Sequence, residues 1–218
     1  KPTASLSQTP TSWTNGNVTL KLTNVKDTGG SGYYRTKLPN GNFTTSSTPS
    51  QTVTSNGSYT FVVYDRAGNH RSYTITVDNI DKSKPSVSFT PNGNSTYEKS
   101  HSTKVAVSDS GSGITTRQYS WTTNTNEPST GWKDFSNNAT IKTPSGTGNR
   151  YLWVKAIDEA GNKTVTRSNV FRIDNTNPKA TFSLSDNGWR NSDIQIQVRN
   201  AQDSHSGYYR IKQPNGNY

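Results

Sequence analysis

The run FVVYDRAGN, residues 61–69, returns as LWVKAIDEAGN at 152–162. In each copy an alternating apolar run reaches an Asp, passes through Ala-Gly-Asn and re-emerges as a second alternating run: RSYTITV (71–77) after the first, and Lys163 onward after the second. Alternation with period two is the mark of a strand with one buried face, and two such runs joined through a Gly-containing turn predict a β-hairpin. The Asp carboxylate can accept hydrogen bonds from amides just ahead of it, and the Gly can supply a positive φ. A hairpin written twice in one chain predicts a repeat.

Working outward, VTLKL places Val18, Leu20 and Leu22 on one face, DTGGSG (27–32) reads as a loop, and YYRTKL (33–38) reads as a strand closed by Pro-Asn-Gly-Asn. With a strand at Ala4–Leu6, weak strands near Gln51–Thr54 and the hairpin, residues 1–82 hold about seven short strands and no helical period. Residues 83–176 repeat the plan. Lys84-Pro85 matches Lys1-Pro2, Val105 and Val107 stand for Leu20 and Leu22, and DSGSG (109–113) replaces DTGGSG. An insertion lies between Thr122 and Thr130, and Lys163–Ile173 reads as one closing run. Residues 177–218 begin a third copy: Pro178, Ala180, Phe182, Trp189, Ile194, Ile196, Val198 and Asp203 align with Pro2, Ala4, Leu6, Trp13, Val18, Leu20, Leu22 and Asp27. SGYYRIKQPNGNY then matches SGYYRTKLPNGNF. This copy lacks the D-x-A-G-N hairpin, so the expectation is that the chain continues or that a neighbouring chain supplies the missing strands. The fold class expected is all-β, with tandem immunoglobulin-like β-sandwich domains set end to end.

Composition narrows the function classes. Leu, Ile, Val and Phe make up only 34 of the 218 residues, about 16% and below the ~20% at which disorder becomes a live reading. Eleven Tyr and five Trp argue for order instead, because disordered chains are poor in aromatics. The mean hydropathy is −0.94, which fits thin sandwich cores. There is no Cys, so no disulfide supports the fold. No apolar run is long enough to cross a membrane as a helix. The net charge is +10, but Lys and Arg are scattered singly rather than clustered. That spacing argues against a nucleic-acid partner and is compatible with an anionic wall polymer.

WTNGNVTLKL (13–22), SGYYR (31–35), the D-x-A-G-N turn and the closing VDNIDKSKP (77–85) or IDNTNPKA (173–180) together resemble the tandem bacterial immunoglobulin-like repeats of Gram-positive cell-surface proteins, of adhesin, stalk and S-layer type. The resemblance spans the whole chain. It implies an extracellular or cell-surface place, no catalysis in the repeat, and neighbouring repeats or subunits of the same surface protein as partners. The function it implies is a structural stalk or assembly segment, with binding of a glycan, wall polymer or host protein as the alternative.

In such a sandwich the loops after the second and sixth strands lie at one end, where the incoming linker also arrives. That gathers Asp78 and Asp81 of one linker near Asp109 and Asp158, and Asp174 of the next near Asp203. Calcium takes six to eight oxygen ligands, which carboxylates and carbonyls supply together, so these six Asp are the candidate metal ligands. Each also reads as a turn former holding its own backbone amides. Trp13 and Trp189, with Tyr33 and Tyr208, are the candidate ligand-binding aromatics, although an aromatic at the same place in two copies is more often a plug for a thin core. Catalytic material is absent: the three His at 70, 101 and 205 have no repeated Ser/Asp partner, and no H-E-x-x-H or phosphate loop occurs. Asn-x-Ser/Thr triplets are what chance gives in so Ser/Thr/Asn-rich a chain, and no buried Glu is evident to promote a Lys–Asn crosslink.

Overall fold

The computed structural model describes residues 1–185, 188–189, 191–213 and 217. Every regular element among them is a strand. The first repeat contains β1 (Thr3–Thr9), β2 (Val18–Lys26), β3 (Tyr33–Lys37), β4 (Phe43–Thr44), β5 (Ser50–Val53), β6 (Gly57–Asp65) and β7 (His70–Val77). They form two antiparallel sheets, β1-β2-β5 and β4-β3-β6-β7. The reason is legible along β2: Val18, Leu20 and Leu22 are wholly buried while Thr19 and Lys21 face solvent. Opposite them Phe61, Val63 and Val77 fill the other half of the core, closed by Val53 and Ile80. Fully burying such side chains contributes about 1.5–3 kcal/mol each, so a few apolar residues per sheet suffice.

The second repeat contains β8 (Ser86–Thr90), β9 (Asn94–Glu98), β10 (Ser102–Ser108), β11 (Ile114–Thr122), β12 (Lys133–Asp134), β13 (Thr140–Lys142), β14 (Gly148–Asp158), β15 (Lys163–Arg167) and β16 (Phe171–Ile173). Its sheets run β13-β10-β8 and β12-β11-β14-β16-β9, with β15 also paired to β14. The closing run expected over 163–173 is two strands. Ser168 interrupts it, donating from its amide to the Leu152 carbonyl at 2.8 Å and accepting the Leu152 amide on its hydroxyl at 3.0 Å. The chain then resumes as β16, which pairs antiparallel with β14 and parallel with β9. β9 carries no apolar alternation. Its register comes from β16 and from the buried His101, whose Nε2 lies 3.2 Å from the Thr96 carbonyl and 2.9 Å from that of Arg172.

The third repeat contributes one antiparallel pair, β17 (Lys179–Leu184) and β18 (Ile196–Gln202), with Leu184 opposite Ile196 and Phe182 opposite Val198. In the first repeat β3 is held by β6; residues 207–213, which match β3 in sequence, form no strand and pair with no strand among the described residues. The turn residues Pro214, Asn215 and Gly216 lie outside the described residues.

Packing divides the chain into two units. The first comprises Lys1–Ser86 with Val107–Arg117 and Lys155–Thr164; the second comprises Val87–Ala106, Gln118–Val154 and Val165–Tyr218. The linker after the first repeat therefore belongs with two loops drawn from the second. In the second unit Val105, Ile141, Leu152, Val154, Phe171 and Ile173 form the buried apolar set.

Candidate metal centre

Both D-x-A-G-N turns are built the same way. Asp65 Oδ1 accepts the amides of Ala67 at 2.9 Å and Asn69 at 2.8 Å, and Oδ2 accepts Asn69 Nδ2 at 2.9 Å. Gly68 supplies φ of 86°. Asp158 Oδ1 accepts the Asn162 amide at 2.7 Å and Oδ2 accepts Asn162 Nδ2 at 2.8 Å, with Gly161 at φ 89°. Burial pushes the Asp65 carboxyl up, but the donors of Asn69 and Ala67 together hold it below its ordinary value.

Asp81, Asp109 and Asp158 come together in the first unit, each offering an oxygen within 4.8 Å of the others. Asp81 Oδ2 accepts the Ser112 amide at 2.7 Å and hydroxyl at 2.8 Å, and its Oδ1 accepts the Ser83 amide at 2.9 Å. The Ser112 amide is the main reason the Asp81 carboxyl titrates below its usual range; burial opposes it. Asp109 Oδ2 accepts the amides of Gly111 at 3.0 Å and Gly113 at 2.9 Å, while its Oδ1 is buried without a partner. Asn162 joins the group: Nδ2 donates to the Asp81 carbonyl at 2.9 Å as well as to Asp158. Three carboxylates and the remaining lone pairs suit a hard cation, and the buried Asp109 Oδ1 is the oxygen that protein donors leave over.

Asp78 does not join this group. It follows Val77, whose side chain is buried, and strand alternation turns Asp78 to solvent. Asn79 is buried but engaged elsewhere, donating to the carbonyls of Pro10 at 3.1 Å and Ser12 at 2.6 Å.

In the second unit Asp174 and Asp203 meet through one donor. The Ser206 amide lies 3.0 Å from Asp174 Oδ2 and 3.1 Å from Asp203 Oδ1. Asp174 also accepts from the amide and hydroxyl of Thr176. Bonds from Ser206 first and Thr176 second hold its carboxyl far below the usual range. Ser206 thus does for Asp174 what Ser112 does for Asp81. These Ser residues were not singled out from sequence; the signal available was the Ser-Gly that follows the loop Asp in every copy.

The aromatic candidates diverge. Trp13 is half-buried, whereas Trp189 is fully exposed. The Tyr33 hydroxyl bonds inward to Thr36 at 3.1 Å and to the Ser46 carbonyl at 2.9 Å, and Tyr208 is exposed. His205 Nδ1 lies 2.8 Å from Ser204 Oγ, its sequence neighbour on the surface.

A family model described as "Bacterial Ig-like domain" matches residues 32–81 and 92–175. No curated protein matches the chain. Among solved structures, a tetra-tandem repeat in the extending region of a large adhesion protein is 17% identical, covering 85% of this chain and 53% of that one, with a TM-score of 0.35. The fibronectin(III)-like modules of Clostridium thermocellum CbhA are 16% identical, covering 78% of this chain and 93% of theirs, with a TM-score of 0.34. Three N-terminal domains of the bacteriophage RB49 highly immunogenic outer capsid protein are 14% identical, covering 93% and 73%, with a TM-score of 0.35.

Proposed function

The chain belongs to the bacterial Ig-like domain family, and we propose that it is a non-catalytic stalk or assembly segment of an extracellular bacterial surface protein, with neighbouring repeats or subunits of that protein as its partners. The observation that carries this reading is the fastening of the linker within the first unit. Asp81 is held by Ser112 and Ser83, its carbonyl by Asn162, and its amide donates to the Thr14 carbonyl at 2.9 Å. Asn15 donates to the Ala160 carbonyl at 3.2 Å. A spacer needs connections that resist bending, and a linker bonded on several sides loses the freedom of a coil. Small-angle scattering of the chain tests this: a stiff, extended profile is expected, and a profile of independently tumbling beads overturns it.

Calcium fits the same reading as a stiffening ion, not as a catalytic one. The Asp81, Asp109 and Asp158 carboxylates would hold it, and its charge would offset the repulsion among three acids. The exposed Ser204–His205 pair supports no hydrolase mechanism, because the serine is the histidine's neighbour in sequence and, among the described residues, no acid orients the ring. Among the described residues no helix is long and apolar enough to cross a membrane.

A further inference from the structure

The two repeats offer an internal comparison at the corner where the edge strands of their sheets face each other. In the first repeat β4 and β5 are edge strands, and residues 38–42 alone join β3 to β4. The cleft there is about 220 Å³, lined by Pro39, Asn40, Tyr59 and β5 residues, with no cation. In the second repeat β12 and β13 are the edges, and the link from β11 to β12 lengthens to residues 123–132. The cleft grows to about 520 Å³, within the range of small-ligand sites.

Its lining changes as well. Tyr119 and Trp121 of β11 form an aromatic wall, Pro128 of the inserted loop adds an aliphatic one, and Lys133 of β12 and Lys142 of β13 stand on the strands of the two sheets. The aromatics are pre-positioned: Trp121 packs edge-on against the core ring of Phe171 at 5.7 Å, and Tyr119 against Phe135 at 6.0 Å. The loop is tied down by Trp132 Nε1, which donates to the Pro128 carbonyl at 3.2 Å, and by the Thr122 hydroxyl, which donates to that of Asn124 at 2.6 Å. Both lysines are exposed. The nearby Asp134 carboxylate accepts from Gln118 Nε2 at 2.9 Å, and among the described residues neither lysine has an ion-pair partner.

We propose that this cleft binds an acidic polysaccharide, one carboxylate-bearing pyranose unit at a time. A pyranose presents an apolar C–H face that stacks on aromatic rings, as a flexible acidic peptide does not, and the two lysines match its carboxylate. A neutral sugar would leave both cations without a counter-charge. The assignment does not depend on the stalk reading: a flexible scattering profile would leave this binding measurement unchanged.

The test is calorimetric titration of the whole chain with trigalacturonate, and with neutral galactotriose as control. Saturable one-to-one binding of trigalacturonate is expected, with galactotriose at least about tenfold weaker. The double variant K133A/K142A weakens trigalacturonate by a similar factor, while K21A/K26A, on β2 of the first repeat, does not. Both lysines are exposed on edge strands; should the double variant melt early, Lys142→Gln alone gives the same reading. No saturable binding at millimolar trigalacturonate overturns the proposal, as does equal binding by the double variant. Binding of hexaglutamate or oligothymidylate as tight as that of the sugar overturns it equally.

Discussion

Gly111 stands where no other residue fits beside Asp81: a Cβ at position 111 would lie 2.3 Å from the Asp81 carboxyl carbon. The carboxylate cannot retreat without releasing the Ser112 and Ser83 amides that hold it. Gly111→Ala therefore destabilises the first unit by about 1–3 kcal/mol, read from denaturant unfolding. In the Asp81→Ala background the same substitution costs less, because the clash is gone. Strictly additive effects in this cycle would show that the two residues do not compete for the space.

Acid weakens the fold. The carboxyls of Asp65, Asp81 and Asp174 all sit below their ordinary value in the folded chain. Each therefore contributes stability that is complete above the unfolded carboxylate value near pH 4 and is lost as pH falls toward the folded one. The melting temperature should hold level above about pH 5 and decline steadily below pH 4. Asn69→Ala removes the side-chain Nδ2 donor from Asp65 and shrinks its share of that decline. A melting temperature unchanged down to pH 2 would sink this assignment.

Calcium at millimolar concentration should raise the melting temperature, since a ligand that binds only the folded chain stabilises it. Asp109→Asn, which alters the one carboxylate among the described residues with a buried unpartnered oxygen, should abolish the increment. Equal melting in calcium and in chelator leaves these Asp as turn formers alone.

His101→Ala should destabilise the second unit by about 1–3 kcal/mol, because it strips the ring donor from the Thr96 and Arg172 carbonyls in a buried setting. Hydrogen exchange should quicken in β9 before β2. Unchanged protection in β9 would mean that β16 alone orders it.

How much of this was readable depends on the range of the interaction. Val18, Leu20 and Leu22 declare their face by alternation, and Asp65 declares its turn because its partners Ala67 and Asn69 are two and four residues away. Asp81 and Ser112 are thirty-one residues apart, so proximity of the loops was inferable but the bond was not. Asp78 was misplaced among the ligands because linker membership was read without strand parity. β9 escaped notice because its order is borrowed from β16 and His101, and the clustering of Asp81, Asp109 and Asp158 followed from loop topology alone.

One pairing bears on how the molecule meets tension. In the first unit Thr14 bridges Ile80 in parallel, through Thr14 to the Asn79 carbonyl and Asp81 to the Thr14 carbonyl, each at 2.9 Å. In the second unit β9 runs parallel to β16. Each pair joins a segment near the start of a repeat to one near its end. A pull on the two ends of the repeat drags such parallel segments past each other, loading their hydrogen bonds side by side, whereas an antiparallel hairpin pulled from its open end gives way one bond at a time. The repeats are thus latched against stretching at the places where force would enter and leave.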